Sequence, residues 1–543
     1  MKIVRQSSTP LTSFDQVEAL LLERLPPDSR KDFLSPPRPE TLTKADHGLS
    51  TEALEAAVAL IQQAGQDKKR ILIFGDYDCD GVTSTAILWE TLHEMGIESK
   101  PFLPHREKHG YGISVAVLEE IWDEYQPELL ITVDNGIVAN EAFAWLKERG
   151  AQTLLTDHHQ PNGPLPDADV ILHSTLLSGA GIAWFLAHAL SPKQAQKELD
   201  FAVLGTLADQ VPLIKANRSL SVHGLQALRQ TQRPSLLALA KKAKINLAQA
   251  DESAVHYGFA PRINALGRIS HALEALRALL SRQPARMQNL LTHMEEVNAE
   301  RQRLTNDSYE TLLQNQLSES EDPVVIVAGN YPEGIVGLLA SKLVDQHHKP
   351  AIVISTQNDF PKASCRSAGG VNIIEILRSL SPELFTSLGG HPGAAGFSLQ
   401  ADGLETFVTS ARKAFTTAVT AEQLEKTLEI LGEIEWRLLN AGLMDVLDEF
   451  APFGNSNEAP LFSLGKVEVA DTQSVGKQGT HQKITFRHPA TKQTVAAICF
   501  AYEKRGIVSS QIEEAFVRVK RSSYRPGTVD VELVASNPRS MAE

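Results

Sequence analysis

Residues 71–81 read ILIFGDYDCDG: four β-favouring apolar residues, a glycine, then carboxylates at alternate positions (Asp76, Asp78, Asp80) before Gly81. A short apolar run stopping on glycine is the pattern of a buried strand entering a turn. Outward from it the pattern recurs. The region from Lys100 to Leu103, LLITV (129–133), TLL (153–155) and DVIL (169–172) are further strand-like runs. Helical stretches such as TSTAILWETLHEM and VLEEIWDEY separate them. Strands alternating with helices predict βαβ units, a mostly parallel sheet and an α/β fold. A second alternation starts at VVIVAG (324–329), continues through GIVGLLASKLVDQHH and reaches AIVIS (351–355).

Between the two alternations, residues 285–322 hold neither glycine nor proline, and apolar residues recur at helical spacing from Met287 to Leu312. A long connecting helix joining two α/β lobes is the expected result. After about residue 455 alternating β segments follow (GKVEVA, KITFRH, AAICFA, AFVRVK, TVDVELVA), with turn signals between them. About five strands there predict a small barrel. The first 45 residues are proline-rich and read as an irregular N-terminal extension.

The 543 residues carry 52 basic and 66 acidic side chains, a formal charge of −14. The balance is uneven: residues 461–543 hold 12 basic and 8 acidic side chains, a net of +4, leaving −18 on residues 1–460. A basic C-terminal module on an acidic body can hold a polyanion while the body does something else. The first fourteen residues have no apolar signal-like core, and GIAWFLAHAL (181–190) is too short for the ~20-residue span a membrane requires. Three widely spaced cysteines, Cys79, Cys365 and Cys499, exclude a disulfide framework and a thiolate zinc site, and fit a reducing cytoplasm.

The chemistry-bearing residues follow predicted strands: Asp76, Asp78 and Asp80, then Asp134 in VDNG, then Asp157-His158-His159, and last Asp209 in LGTLADQVPL. In an open parallel sheet, sites form at the carboxyl ends of the strands. Carboxylates crowded there cannot all stay ionised without compensation, and one or two divalent cations supply it. Oxygen ligands with an imidazole suit Mn²⁺ or Mg²⁺, and an ion pair of that kind implies phosphate-ester hydrolysis. An EF-hand is excluded, because position 12 counted from Asp76 is Ile87 where a glutamate is needed. A Walker-type phosphate loop is absent. Asp78 to Val82 also resembles the nucleophile loop of haloacid-dehalogenase-type phosphatases, which these residues alone leave open.

DYDCDG, VDNG, Asp157-His158-His159 and the ADQVPL aspartate together resemble the DHH phosphoesterase superfamily. PRINALGR (261–268), EGIVGLLASKL (333–343), KASCRS (362–367), GGHPGAAG (389–396) and PFGNSNEAP (452–460) narrow the resemblance to its RecJ exonucleases, in family order from about Arg70 to the C-terminus. The resemblance implies a DHH domain over 46–220, a helical region and connecting helix over 221–322, a DHH-associated domain over 323–425, and a linker with an OB-fold over 426–543. It also implies metal-dependent hydrolysis of single-stranded DNA from the 5′ end. The alternatives are a DHH phosphodiesterase for short oligonucleotides or cyclic dinucleotides, and a catalytically silent DNA-binding relative.

Carried over residue by residue, the resemblance gives Asp76, Asp78, Asp80, Asp134, His158 and Asp209 as ligands of two divalent ions, Mn²⁺ or Mg²⁺. Asp157 would orient the histidines, and His159 would face the scissile phosphate. Arg106, Tyr111, Arg262, Asn264, Arg268, Ser364, Arg366 and His391 would contact substrate. Expected partners are single-stranded DNA, a single-strand-binding protein and a helicase; the chain is expected to be a cytoplasmic monomer off the membrane. Residues from about 455 are expected to bind the strand without contributing to the chemical step, with Phe486, Phe500 and Tyr524 as stacking platforms. Two departures from the family pattern are Tyr331-Pro332, where Trp-His is usual, and His173-Ser174, where Asn-Pro is common.

Overall fold

The computed structural model describes residues 2–110, 112–316, 322–476, 479–500, 502, 507, 512–522, 525 and 527–538. In the first lobe, β1 (Ile71–Phe74), β2 (Ser99–Phe102), β3 (Leu129–Val133), β4 (Gln152–Asp157) and β5 (Val170–His173) form one parallel sheet in the order β2-β1-β3-β4-β5. Every residue of β1 and β3 is buried, which is why these strands read as continuous apolar runs. On one face α1 (Cys79–Glu94), α2 (Gly179–Leu190) and α3 (Leu199–Ala208) pack against one another. The chain leaves β1 to β2 on one side and returns to β3 on the other. The strand order therefore reverses at β1/β3, where a crevice opens at the carboxyl ends.

Two further helices set the lobes apart: α4 (Ala260–Ile269) and α5 (Pro284–Gln316), whose 33 residues extend about 50 Å. Residues 317–321, the expected end of the connecting helix, lie outside the described residues. The second lobe contains β6 (Val325–Gly329), α6 (Val336–His347), β7 (Ala351–Ser355), β8 (Lys362–Arg366), β9 (Phe385–His391) and β10 (Ala394–Leu399). Its sheet runs β9-β10-β8-β7-β6, and only β6 and β7 pair in parallel. The second alternation thus opens with a βαβ unit and continues as antiparallel hairpins.

The C-terminal domain is a seven-stranded sheet in the order Gly432–Glu433, Phe462–Lys466, Ile512–Arg521, Val529–Pro538, Thr494–Cys499, His481–Arg487, Glu468–Val475. Its last strand in that order also touches Ile512–Arg521, curling the sheet toward closure. Phe486 is fully buried in its core, so it is no stacking platform. Phe500 is 43% exposed, and Tyr524 lies outside the described residues.

The N-terminal extension is not irregular. Lys2–Arg5 pairs in parallel with Thr427–Ile430, and helices Phe14–Glu23 and Arg30–Leu34 follow. Leu11, Val17, Leu21, Leu25 and Phe33 join the core of the C-terminal domain beside Trp436 and Phe450. Proline density concealed this, because prolines stand at the starts of short helices as readily as in loops.

One buried ionic network ties the helical layers of the first lobe. Arg233 binds Asp200 through Nε at 2.9 Å, Glu198 through Nη2 at 2.6 Å and Glu90 of α1 through Nη1, over the Phe201 ring. Removing the arginine leaves three buried carboxylates facing one another, a loss of about 3–5 kcal/mol. Arg233→Ala should therefore lower the urea midpoint strongly. Arg303→Ala, which breaks only exposed pairs with Glu300 and Asp307, should leave it in place.

Candidate metal centre

Asp76, Asp134 and Asp157 stand at the carboxyl ends of three adjacent strands, β1, β3 and β4, and the parallel register sets those ends side by side. Asp78 caps α1, accepting from the Gly81 amide at 3.1 Å, which turns Asp80 inward on the first helical turn. Asp80 accepts from the Gly179 and Ala180 amides at 2.7 and 2.8 Å, at the N-terminus of α2. Asp209 follows the last residue of α3. Asp134 is held in the left-handed region at φ +64°, a strained backbone for a non-glycine residue.

His158 is the hub. Its Nε2 lies 3.1 Å from Asp134 Oδ1, 3.6 Å from Asp209 Oδ2 and 3.9 Å from Asp80 Oδ2. Burial and the neighbouring His159 charge push its pKa down to about 3. A neutral imidazole then aims a lone pair at carboxylates. Asp134 Oδ1, buried and close to Nε2, takes no hydrogen bond, and neither does buried Asp76 Oδ1. Burial and mutual repulsion raise Asp76 to about 8 and Asp80 to about 7, and raise Asp134 and Asp209 well above the carboxylate range. Without a cation the arrangement is unfavourable; with one it is a ligand set.

The donor atoms fall into overlapping groups, each within 4.8 Å: Asp80, His158 and Asp209; Asp134, His158 and His159; Asp76, Asp78 and Asp134. Asp134 and His158 each belong to two of them, so the groups form one continuous set of donors. Asp157 accepts from the amides of His158 (2.7 Å), His159 (3.1 Å) and Ile137 (2.9 Å), and from His159 Nδ1 at 2.7 Å. Burial opposes the charge on both partners, yet this bond holds Asp157 down at about 2 and lifts His159 to about 9. His173 brings a ring nitrogen to the His159 carbonyl at 2.7 Å, steadying the turn from β5.

A second group of charges gathers at the junction of the lobes. Arg268 donates to the Gly334 carbonyl at 3.2 Å, and a Cβ on Gly334 would overlap the Arg268 backbone. Burial and the nearby cations Arg106, Arg366 and Arg301 bring Arg268 down to about 9. Arg106 lies over the Tyr77 ring at 5.1 Å, and Arg366 donates to the Ser364 hydroxyl (3.1 Å) and the Cys365 carbonyl (2.8 Å). Their partners are carbonyls, a hydroxyl and a ring, not carboxylates. His391 of the second lobe is lowered by burial and by the charges of Arg366 and His159.

Two expected substrate residues are engaged elsewhere. Arg262 bonds Glu295 of α5 at 2.5 Å and the Gly258 carbonyl at 2.8 Å. Asn264 accepts from the Cys79 amide at 2.6 Å, an orphan donor of the first turn of α1, and so braces the DYDCDG loop. Tyr111 lies outside the described residues. The sequence reading missed Arg301, half-buried in the middle of α5 and bonded to Asn298 at 2.5 Å. It also missed Gly179, where a Cβ would stand 2.6 Å from Asp134. The glycines of SGAGIAW were the one available signal for the latter.

Family models match the three parts of the chain: the DHH family N-terminal domain over residues 70–208, the DHHA1 domain over 321–417 and the RecJ OB domain over 431–532. Fold and site thus define a DHH-type phosphoesterase. A single-stranded-DNA-specific exonuclease RecJ of Thermus thermophilus is 32% identical, over 85% of this chain and 69% of its own length. That of Bacillus subtilis is 33% identical over 81% of this chain, which spans 58% of that relative. The crystal structure of RecJ in complex with Mn²⁺ from Thermus thermophilus superposes with a TM-score of 0.79 at 26% identity, covering 100% of this chain and 80% of that one. The chain belongs to the RecJ family.

The raised carboxyl pKa values fix a sign. A carboxyl at about 8 when folded binds more protons than the unfolded chain between pH ~4 and ~8, so folding weakens as pH rises through that window. In chelator-treated protein, Asp76→Asn should remove part of this loss, and its Tm advantage over wild type should widen from pH 5 to 8. Saturating Mn²⁺ should reverse the order. Equal Tm values throughout would show that Asp76 carries no such burden.

Proposed function

We propose that the chain is a metal-dependent exonuclease that hydrolyses single-stranded DNA from its 5′ end to mononucleotides. The observation that carries this reading is the overlap of the ligand groups at Asp134, with an arginine cluster at the lobe junction beside it. Asp76, Asp78, Asp80, Asp134, His158 and Asp209 would hold two divalent ions, Mn²⁺ or Mg²⁺. Bound there, the ions supply Lewis-acid activation of the phosphodiester and of the attacking water.

The remaining steps belong to the protein. Asp157 keeps His159 oriented through the 2.7 Å bond to Nδ1 and favours its charged form, so that the ring faces the negative charge of the scissile phosphate. Arg106, Ser364 and Arg366 grip the terminal 5′-phosphate, and Arg268 takes the neighbouring backbone charge. Arg106 and Arg366 come from different lobes, so the grip closes only on a chain end lying between them. Residues 461–543, with 12 basic and 8 acidic side chains, supply a track for the strand, a surface that an enzyme confined to dinucleotides has no use for. The chain acts in the cytoplasm as a monomer beside a single-strand-binding protein and a helicase. In keeping with that setting, no helix among the described residues is long and apolar enough to cross a membrane.

Asp134→Ala should abolish hydrolysis while far-UV circular dichroism and strand binding persist; activity near wild type would remove Asp134 from the centre. Charge-assisted bonds to phosphate contribute roughly 1.5–3 kcal/mol each. Arg366→Ala should therefore slow digestion of 5′-phosphorylated strands by about one to two orders of magnitude, and of 5′-hydroxyl strands less. End-labelled single strands and blunt duplexes provide the assay. Release from the 3′ end first, or equal digestion of duplex, would contradict the polarity.

A further inference from the structure

The proposed ligands differ in how the protein holds them. Asp80 is bonded by two amides of α2, Asp134 sits at a strand end of the central sheet, and the His158 amide is bonded to Asp157 at 2.7 Å. Asp209 has no such support: its carboxylate receives no hydrogen bond among the described residues, and its side chain is 25% exposed. It stands where α3 runs out, on a turn whose next residue, Gln210, is in the left-handed region at φ +57°. A ligand on such a turn is only as well placed as whatever holds the turn.

That support comes from the C-terminal domain. The Asn455 side chain donates from Nδ2 to the Gln210 carbonyl at 2.9 Å, and the Asn455 carbonyl accepts from the Leu213 amide at 2.9 Å. The two bonds bracket the turn just after Asp209. Gly454 comes so close that a Cβ there would stand 2.8 Å from Leu213 Cδ1. The bracing loop is itself fixed. Gly454 and Asn457 exchange backbone bonds at 2.9 and 3.0 Å, and Asn457 Nδ2 donates to the Phe450 and Pro452 carbonyls, both at 2.8 Å. Beyond the turn, fully buried Arg218 donates to the Ala451 carbonyl at 3.2 Å and the Phe33 carbonyl at 2.5 Å. The C-terminal domain and the N-terminal segment therefore grip the chain next to Asp209. The sequence led to the expectation that residues from about 455 bind the strand without contributing to the chemical step; these bonds bring the start of that stretch to the turn beside Asp209.

We propose that Asn455 is a positioning residue for Asp209, so that docking of the C-terminal domain completes the metal centre of the first lobe. The proposal rests on Asp209 being a metal ligand. Partners that orient a ligand typically contribute 10–100-fold in metal affinity, and Asn455 acts one peptide further out, at the low end of that range.

The test is Mn²⁺ titration of the full chain, freed of metal by chelation, with free Mn²⁺ followed by electron paramagnetic resonance. Asn455→Ala should weaken the tighter Mn²⁺ site about tenfold with Tm unchanged, and Gly454→Val, which pushes the loop off Leu213, should do the same. Asn455→Gln, which keeps the amide donor, should recover part of the loss. Turnover of a dinucleotide by Asn455→Ala should fall at limiting Mn²⁺ and return at saturating Mn²⁺, a rescue that a general folding defect would not allow. Asp209→Asn is the control. If it weakens Mn²⁺ binding while Asn455→Ala and Gly454→Val bind as wild type, the bracing role is overturned and the metal assignment stands. If Asp209→Asn itself binds Mn²⁺ as wild type, the assignment falls and the proposal with it.

Discussion

The repulsion among Asp76, Asp80, Asp134 and Asp209 around a neutral His158 is the constraint to which the rest of the first lobe answers. Nothing in that group satisfies Asp76 Oδ1 or Asp134 Oδ1, and burial makes each charge more costly. A fold retains such a set only by forcing it from outside. The parallel sheet fixes Asp76 and Asp134, two amides at the start of α2 fix Asp80, and Asp157 fixes the histidine pair. The Asp134 backbone is part of the same arrangement: the scaffold holds it in the left-handed region, which a non-glycine residue adopts uncommonly.

A mirror-image problem exists at the lobe junction. Burial, and then the charges of Arg106, Arg366 and Arg301, lower the basicity of Arg268, as burial and mutual repulsion raise the carboxyls. Two like-charged groups of opposite sign, side by side, form a field that a phosphodiester between divalent cations and guanidinium groups would satisfy at both ends. The helix α5 and the Gly334–Arg268 contact join the two lobes. The Arg233 network differs, because its one cation and three carboxylates bond one another directly.

The sequence reading was strongest where the signal was local. Apolar runs ending in glycine and aspartate placed β1, β3 and β4 and their terminal carboxylates, and a stretch free of glycine and proline placed α5. It failed where long-range packing chose the partner. Arg262 and Asn264 lie in one short segment with Arg268, yet the helix turns Arg262 to Glu295 and Asn264 to the Cys79 amide. Phe486 alternates with polar neighbours as a platform residue would, but its face is the inner one. The N-terminal prolines suggested a loose tail, and the leucines among them proved to be part of a core formed with residues of the C-terminal domain, far along the chain.

By itself, then, the sequence determined the class of chemistry. Several carboxylates and a histidine pair after buried strands require a divalent cation, whatever the detail of the fold, because like charges leaving water need compensation. Only the tertiary structure decided which donor atoms lie close enough to share a cation, which arginines have no carboxylate partner among the described residues, and that the C-terminal domain reaches the turn carrying Asp209. Those outcomes depend on distances between residues far apart in the chain. Such distances are set by how helices, strands and loops pack against one another, and no local pattern of residues encodes them.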